Sequence, residues 1–321
     1  WTAHCLVALF FAVLVGTVFR PWLKPFRQPQ RGGPELHFQA GDLTPLFSVW
    51  TQVTARSLFE RGEFPLWSDH IYCGEPFFAK PQIGVISLTT LLCLVLPAQI
   101  VATWTFLLHL WIAGMSAYGL ALELISFRIR GDSKSGSLVP IGSRPRSDYL
   151  SAACGGVAFM LSGLMAEHTM IGHGPIVLVA CWTPLVLRLI VRTFVGSSPV
   201  RSGTLAGLLV AVQLLAGGET MFLYNAIAGG MIGLAWILFG DRKLRLAARL
   251  GTQTAAVQSG ANNDLTPTLA GRFVRVVVAG FVIGLVGFGL SAVKVLPGLE
   301  LMPVSNRAGG LTLADASGMI I

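Results

Sequence analysis

Charged side chains are scarce in this chain. Lysine, arginine, aspartate and glutamate make up only 12% of its 321 residues, whereas soluble domains carry about 25%. Hydrophobic residues account for 53% of the chain, and the mean hydropathy is +0.68. This composition argues against an ordinary soluble domain and predicts an all-α protein that crosses a membrane several times.

Motifs that identify well-known enzyme sites are missing as well. The sequence has no GxGxxG turn, no P-loop and no Ser-His-Asp order. Its five cysteines are scattered, without a CxxC pair, so they predict neither a disulfide framework nor a zinc site. The net charge of +8 does not predict a nucleic-acid partner, because basic residues of a membrane protein usually mark its cytoplasmic loops.

Eight apolar runs are spread along the chain. They cover residues 3–19, 83–96, 100–125, 151–165, 175–195, 204–216, 221–239 and 273–293. A transmembrane helix needs about 20 residues, and the run 83–96 is short and ends at Pro97. The topology depends on whether this one run crosses the membrane.

The distribution of basic residues favours a run 83–96 that does not cross. In that case the loops 126–150, 188–201 and 240–272 lie on one side and carry thirteen Lys and Arg residues, while the short opposite loops carry none. This asymmetry follows the positive-inside rule. If the run crosses, the basic loops divide between the two sides. We therefore predict about seven transmembrane helices and a cytoplasmic N-terminus, with 83–96 as an interfacial or re-entrant helix outside.

Four basic residues after the first run oppose this topology, since Arg20, Lys24, Arg27 and Arg31 would then lie outside. Long translocated segments tolerate such charges, so the prediction stands. It describes one transmembrane domain over 1–321, with a first extracytoplasmic loop at 20–99 and cytoplasmic loops at 126–150 and 240–272. The chain begins at Trp1 and ends at Ile321 without a closing signal, so we interpret it as a fragment of a longer protein.

Glycines four residues apart predict close contacts between helices. Three such pairs occur within the apolar runs, at Gly203/Gly207, Gly229/Gly233 and Gly280/Gly284.

The polar stretch 36–82 holds a third of the acidic residues and separates two apolar regions. Within it, Asp42 precedes a predicted helix that runs from residue 47 to residue 59. The ordinary interpretation of Asp42 is an N-cap, in which the carboxylate accepts backbone N–H bonds. The functional interpretation is a carboxylate just above the bilayer that acts as a base or a metal ligand.

The other candidate residues fall in segments that the topology places outside, and each has an ordinary interpretation. They are Glu75, Lys80, His168, His173, Glu219, Glu300 and Arg307. Lys80 could bind a phosphate or be a solvated lysine. His168 and His173 could bind a metal or a phosphate, although their spacing of five suits a loop better than one helix face.

Glu219 lies in a short turn between apolar helices, where it is either hydrated or functional. Glu300 and Arg307 follow the last run and could pair with each other, or Arg307 could bind a phosphate. His109 lies inside an apolar run, which is typical of a buried histidine with a hydrogen-bond partner.

Several loose motifs occur in a fixed order along almost the whole chain. They are Asp42 after Gly41, GEFPLW, CGEPFFAKPQ, a helix with His109 and Gly114, GGVAFMLSG, two histidines before WTPL, GGET, and SAVKVLPGLE with SNRAGG. In these motifs the chain resembles the bacterial YfhO family of integral-membrane glycosyltransferases of the GT-C type. Members of that family are longer, with further transmembrane helices and an outer domain.

The resemblance implies a GT-C-like fold, in which juxtamembrane helices occupy the first outer loop and an acidic residue follows the first transmembrane helix. Asp42 matches that acidic residue, and 83–96 matches a juxtamembrane helix. The implied reaction, in a bacterial inner membrane, moves a sugar from a polyprenyl-phosphate donor to an extracytoplasmic acceptor hydroxyl with inversion at C1. The carboxylate would take the acceptor proton directly or through a divalent metal ion.

The predicted site therefore combines Asp42 and Glu219 with His168 or His173, and with positive charge from Lys80 or Arg307. The alternative function is a non-catalytic lipid or polysaccharide transporter, or an assembly subunit. A transporter should show two related halves with broken helices and charges near the midplane, and none are evident. A sugar-binding relative that has lost catalysis is a third interpretation.

Overall fold

The computed structural model describes residues 2–20, 46–71, 73–132, 145–195, 198–255 and 268–304. Within these ranges the named elements are all helical. The α-helices are α1 (Thr2–Val18), α2 (Ser48–Ala55), α3 (Leu88–Leu92), α4 (Ala98–Asp132), α5 (Arg146–Met160), α6 (Gly163–Met170), α7 (Gly174–Ala180), α8 (Thr183–Val195), α9 (Pro199–Leu215), α10 (Glu219–Ala255) and α11 (Leu269–Leu301). A π-helical turn, Arg56–Glu60, continues α2, and a 3₁₀ turn, Met302–Val304, follows α11.

Four helical segments in the described residues are long and apolar enough to cross a membrane. They are Thr103–Ile125, Gly174–Val195, Glu219–Gly240 and Leu269–Val304. The pair α5 and α6, bent by 40° at a short break, adds a fifth if the two helices form one crossing. The helices α1 and α9 are apolar but only 17 residues long. The protein is thus all-α with several membrane-length helices, while the number seven stays a prediction.

The run 83–96 contains no membrane-length helix, in agreement with its predicted non-crossing role. The helix in it is shorter than predicted, because only α3 is α-helical and Ser87 caps its start by accepting a bond from the Thr90 N–H. The preceding residues are tied to the bundle. A Cβ atom at Gly84 would lie 2.7 Å from the carbonyl oxygen of Ala216, so the backbone there packs too closely for any side chain.

One end of the bundle carries a cluster of arginines, and we call it the basic end. Arg188 and Arg192 of α8 both donate to the carboxylate of Glu123 near the end of α4. Arg275, near the start of α11, donates to the carbonyl of Thr193 at 2.8 Å. These contacts place the C-terminal ends of α4 and α8 beside the N-terminal part of α11.

The opposite end, which we call the loop end, is formed around residues 73–84. Lys294, in the C-terminal half of α11, contacts the carbonyl of Phe78 there. The turn between α9 and α10 lies beside the same loop, because a Cβ atom at Gly217 would meet the backbone of Pro81. The arginines of α8 and α11 therefore lie at the end of the bundle opposite to residues 73–84.

Glycines allow close packing between α9 and α11. A Cβ atom at Gly207 would lie 2.7 Å from the Cβ of Val286, and one at Gly287 would lie 2.8 Å from Cγ1 of Val210. The predicted contact at Gly280 and Gly284 is not made within the described residues, since a Cβ atom at either would meet nothing within 4 Å. Gly287 makes the contact on α11 because it faces α9.

This difference gives a matched pair of substitutions. We expect Gly207→Ala to lower the free energy of unfolding by about 1–3 kcal/mol, since the added methyl group forces α9 and α11 apart. Gly280→Ala should be neutral or stabilising by up to about 1 kcal/mol, because alanine is the better helix former. Thermal unfolding of both variants in one detergent tests the difference, and equal unfolding temperatures would contradict the packing described.

Candidate functional site at the loop end

Residues 66–71 and 73–78 form a structured turn that supports the loop end. Ser68 and Glu75 pair as an isolated antiparallel bridge, with N···O distances of 2.9 and 3.0 Å. Gly74 has φ +114°, and a Cβ atom there would lie 3.2 Å from the ring of Trp67. The side chains of Phe77 and Phe78 are buried. The structured loop expected from this dense Gly, Pro and aromatic composition is therefore present.

Lys294 holds the loop against α11. Its Nζ donates to the carbonyl oxygens of Phe78, Lys80 and Ile83 at 2.5, 2.6 and 2.8 Å, and it lies 5.0 Å from the ring centroid of Phe78. An ammonium group has three N–H donors, so these carbonyls use all of them. Only 3% of Lys294 is exposed, which makes this side chain a fixed internal connection.

Glu219 is the first residue of α10 and is exposed at the loop end. Its carboxylate interacts electrostatically with the ammonium of Lys294. The turn before it is held close to the loop, because Gly217 has φ +90° and its Cα faces the backbone of Pro81 and Gln82. The structure therefore brings Glu219 to the loop.

Glu75 and Lys80 form an ion pair within the loop. The carboxylate of Glu75 is buried, and its Oε1 has no hydrogen-bond partner. The Lys80 side chain is 30% exposed, so it is partly solvated as well as paired. A role of either residue in substrate binding stays a prediction.

His168 and His173 contact each other, with 3.4 Å between their Nδ1 atoms and 5.3 Å between their ring centroids. His168 lies in the last turn of α6, and His173 is the N-cap residue of α7. The spacing of five predicts a loop. That prediction holds for His173, which follows the helix end, but not for His168, which lies in α6. Gly172, with φ +73°, reverses the chain and brings the rings together.

A small, mostly apolar pocket lies beside Ile83, whose carbonyl accepts from Lys294, and Pro175, two residues after His173. Its walls come from α2, α3, the loop and the start of α7: Phe47, Trp50, Thr51, Thr54, Gln82, Ile83, Gly84, Ser87, Thr89, Thr90, Cys93, Pro175, Leu178 and Ala216. The Oγ1 of Thr89 is buried without a hydrogen-bond partner. Phe47 packs on Gly174, where a Cβ atom would lie 2.4 Å from its ring. The start of α2 thus lies beside His173.

The remaining predicted residues are less informative. Asp42 and Arg307 lie outside the described residues, and Glu300 is exposed near the end of α11. His109 is a buried histidine with a partner, as predicted, because its Nδ1 lies 2.7 Å from the carbonyl oxygen of Thr105.

Two features of the loop end were missed by the sequence reasoning. Lys294 was treated as part of a motif and not as a site residue, although a lysine at the end of an apolar helix is costly to bury and is itself a signal. The second is the contact between the two histidine rings. Its signal in the sequence is Gly172, one residue before His173, because a glycine after a helix end favours a turn that folds the chain back.

Comparison with protein-family models, curated proteins and solved structures finds no significant match to this chain. Its membrane-length helices define it as a multi-pass α-helical membrane protein. The resemblance to the YfhO family stays a prediction.

Proposed function

We propose that this protein is a membrane glycosyltransferase of the GT-C type. It would transfer a sugar from a polyprenyl-phosphate donor to an acceptor hydroxyl on the extracytoplasmic side of a bacterial inner membrane. Seven membrane crossings and a cytoplasmic N-terminus belong to this proposal. The loop end then faces outward, because the arginines of the basic end are expected on the cytoplasmic side.

The proposal rests on one observation: candidate polar residues that are distant in the sequence lie at the loop end. Glu75 and Lys80 belong to the loop that Lys294 holds, and Glu219 lies beside it. The histidine pair adjoins Pro175, which lines the neighbouring pocket. A lipid-linked donor presents its phosphate at the membrane surface, so its reaction needs a polar site at one end of the bundle.

Asp42 is the proposed base on sequence grounds. Phe47, five residues later in the chain, packs on Gly174 beside His173. In the reaction the acceptor oxygen bonds to C1 of the sugar from the face opposite the phosphate, and the bond from C1 to the phosphate oxygen breaks. Asp42 takes the hydroxyl proton, and polyprenyl phosphate leaves as the anion.

Positive charge near the phosphate stabilises the leaving group. Lys294 cannot supply it by donating hydrogen bonds, because its three donors are used by backbone carbonyls. Lys80 and Arg307 are the proposed cations. Glu219 would orient the acceptor, and Glu300 lies on the same end of α11 as Lys294.

Sugar transfer from a labelled polyprenyl-phosphate donor to endogenous envelope acceptors tests the proposal. We expect Asp42→Asn to lower turnover by about 100-fold or more, because the amide cannot accept the proton. Asp69→Asn is the matched control, since Asp69 is an exposed carboxylate in the same loop. It should leave turnover unchanged.

A folded Asp42→Asn protein with wild-type turnover would overturn the assignment of the base. Absence of transfer by the wild type, with donor binding retained, would instead favour the non-catalytic alternative of a lipid or polysaccharide transporter or an assembly subunit.

A further inference from the structure

The turn that ends α6 has the hydrogen bonds of a Schellman motif. The N–H of His173 donates to the carbonyl of His168 at 2.8 Å, and the N–H of Gly172 donates to the carbonyl of Thr169 at 3.1 Å. Gly172 supplies the left-handed residue that the motif requires. In this motif the side chains at the positions of His168 and His173 usually make a hydrophobic contact. Here both are imidazoles.

The turn is held on both sides, so the two rings are pre-positioned. Thr169 is fully buried, and its hydroxyl donates to the carbonyl of Met165 at 2.6 Å. On the other side Gly174 is packed against the ring of Phe47. Backbone packing therefore sets the distance between the histidines.

That distance fits a shared metal ion better than a hydrogen bond. The Nδ1 atoms are 3.4 Å apart, which is longer than the usual range of about 2.7–3.2 Å for an N–H donor. Two nitrogens at about 2.0–2.1 Å from one tetrahedral Zn²⁺ lie about 3.3–3.4 Å from each other. The two Nδ1 atoms already have the separation of neighbouring ligands.

We propose that His168 and His173 bind one borderline divalent cation, of the Zn²⁺ class, through their Nδ1 atoms. Imidazole nitrogens prefer Zn²⁺, Ni²⁺ and Cu²⁺ to Mg²⁺ or Ca²⁺. Both rings bind as neutral imidazoles with their proton on Nε2, so neutral rings lose no net proton on binding.

Among the described residues no group of three His, Cys, Asp or Glu side chains could hold a metal together. The described part of the chain therefore supplies two ligands, His168 and His173, and the remaining positions can take water or a phosphate oxygen. Open positions are a property of reactive metal sites, whereas structural zinc sites have four protein ligands. Metal binding at this turn does not depend on the proposed sugar transfer.

Calorimetric titration of the purified chain with Zn²⁺ tests the site. We expect one site in the wild type and at least a tenfold lower affinity in His168→Gln and in His173→Gln. His70→Gln is the matched control, because His70 is exposed and its Nε2 lies 3.4 Å from Nη2 of Arg61. It should leave the affinity unchanged, and excess Mg²⁺ should not compete.

A third variant separates metal binding from loss of a side chain. Gly172→Ala keeps both imidazoles but strains the left-handed turn, so we expect it to weaken Zn²⁺ binding as well. All variants keep the five cysteines, so a cysteine site would survive the histidine substitutions.

The proposal is overturned if the wild type binds no stoichiometric Zn²⁺, if the histidine variants keep wild-type affinity, or if His70→Gln loses as much. None of these outcomes bears on sugar transfer, because the titration contains no donor or acceptor.

Discussion

Replacing Lys294 with methionine is expected to release residues 78–83 from α11 and to lower the free energy of unfolding by about 3 kcal/mol or more. The substitution removes the charged donor from two buried carbonyls, of Phe78 and Ile83, and from the part-buried carbonyl of Lys80. Each hydrogen bond to a charged group contributes about 1.5–3 kcal/mol. Methionine keeps an unbranched side chain of similar length, so the loss reports on the ammonium group and not on a cavity.

Cys93 reports on the loop separately from global unfolding. It lines the pocket beside the loop and is half-buried. Burial raises the pKa of its thiol, which slows reaction with maleimide because the thiolate is the nucleophile. In Lys294→Met we expect faster labelling of Cys93, while labelling of the exposed Cys73 serves as an internal reference.

Leu296→Met is the control for this experiment. Leu296 lies two residues further along α11 and is 58% exposed, so its substitution should change neither unfolding nor labelling. If Lys294→Met unfolds at the wild-type temperature and labels at the wild-type rate, the three hydrogen bonds do not hold the loop.

The helices and their two ends could be predicted from the sequence, because apolar runs and basic loops are local patterns. The Lys294 contact could not, since its partners are backbone carbonyls 211–216 residues away in the chain. Nothing in the type of residue at 78, 80 or 83 marks those carbonyls as acceptors for a distant donor. Only the tertiary arrangement makes them the partners of a lysine.

The break between α5 and α6 was missed for a different reason. Hydropathy sums apolar character over a window and does not describe the backbone, so the run 151–165 was predicted as one helix. The structure ends α5 at Met160 and begins α6 after Ser162, whose side chain accepts from the N–H of Met165. A serine can be recognised in the sequence as a possible N-cap residue. Inside an apolar run, however, the hydrophobic pattern predicts one continuous helix through it.

The histidine pair shows the limit of spacing arguments. Residues five apart do not share a helix face, so spacing alone does not predict that the two rings touch. Gly172 changes the geometry because a left-handed residue after a helix folds the next side chain back on the last turn. A candidate site next to a helix end should therefore be judged by the capping motif and not by helical periodicity.

Gly217 is the second position at which one substitution should have a large effect. Its φ of +90° disfavours any side chain, and a Cβ atom would lie 2.7 Å from the carbonyl oxygen of Pro81. We expect Gly217→Ala to lower the free energy of unfolding by about 2–4 kcal/mol, since backbone strain and overpacking each cost about 1–3 kcal/mol. Thermal unfolding and labelling of Cys93 measure the two consequences.

A substitution at Gly62 separates the effect of backbone strain from the effect of overpacking. Gly62 also has a positive φ, of +69°, but a Cβ atom there would meet nothing within 4 Å. Gly62→Ala should therefore show the strain alone, with a smaller loss of about 1 kcal/mol and unchanged labelling of Cys93. Equal losses in the two variants would mean that the turn before Glu219 does not press on the loop. A larger loss in Gly217→Ala, together with faster labelling, would show that this turn and Lys294 hold the same loop from two sides.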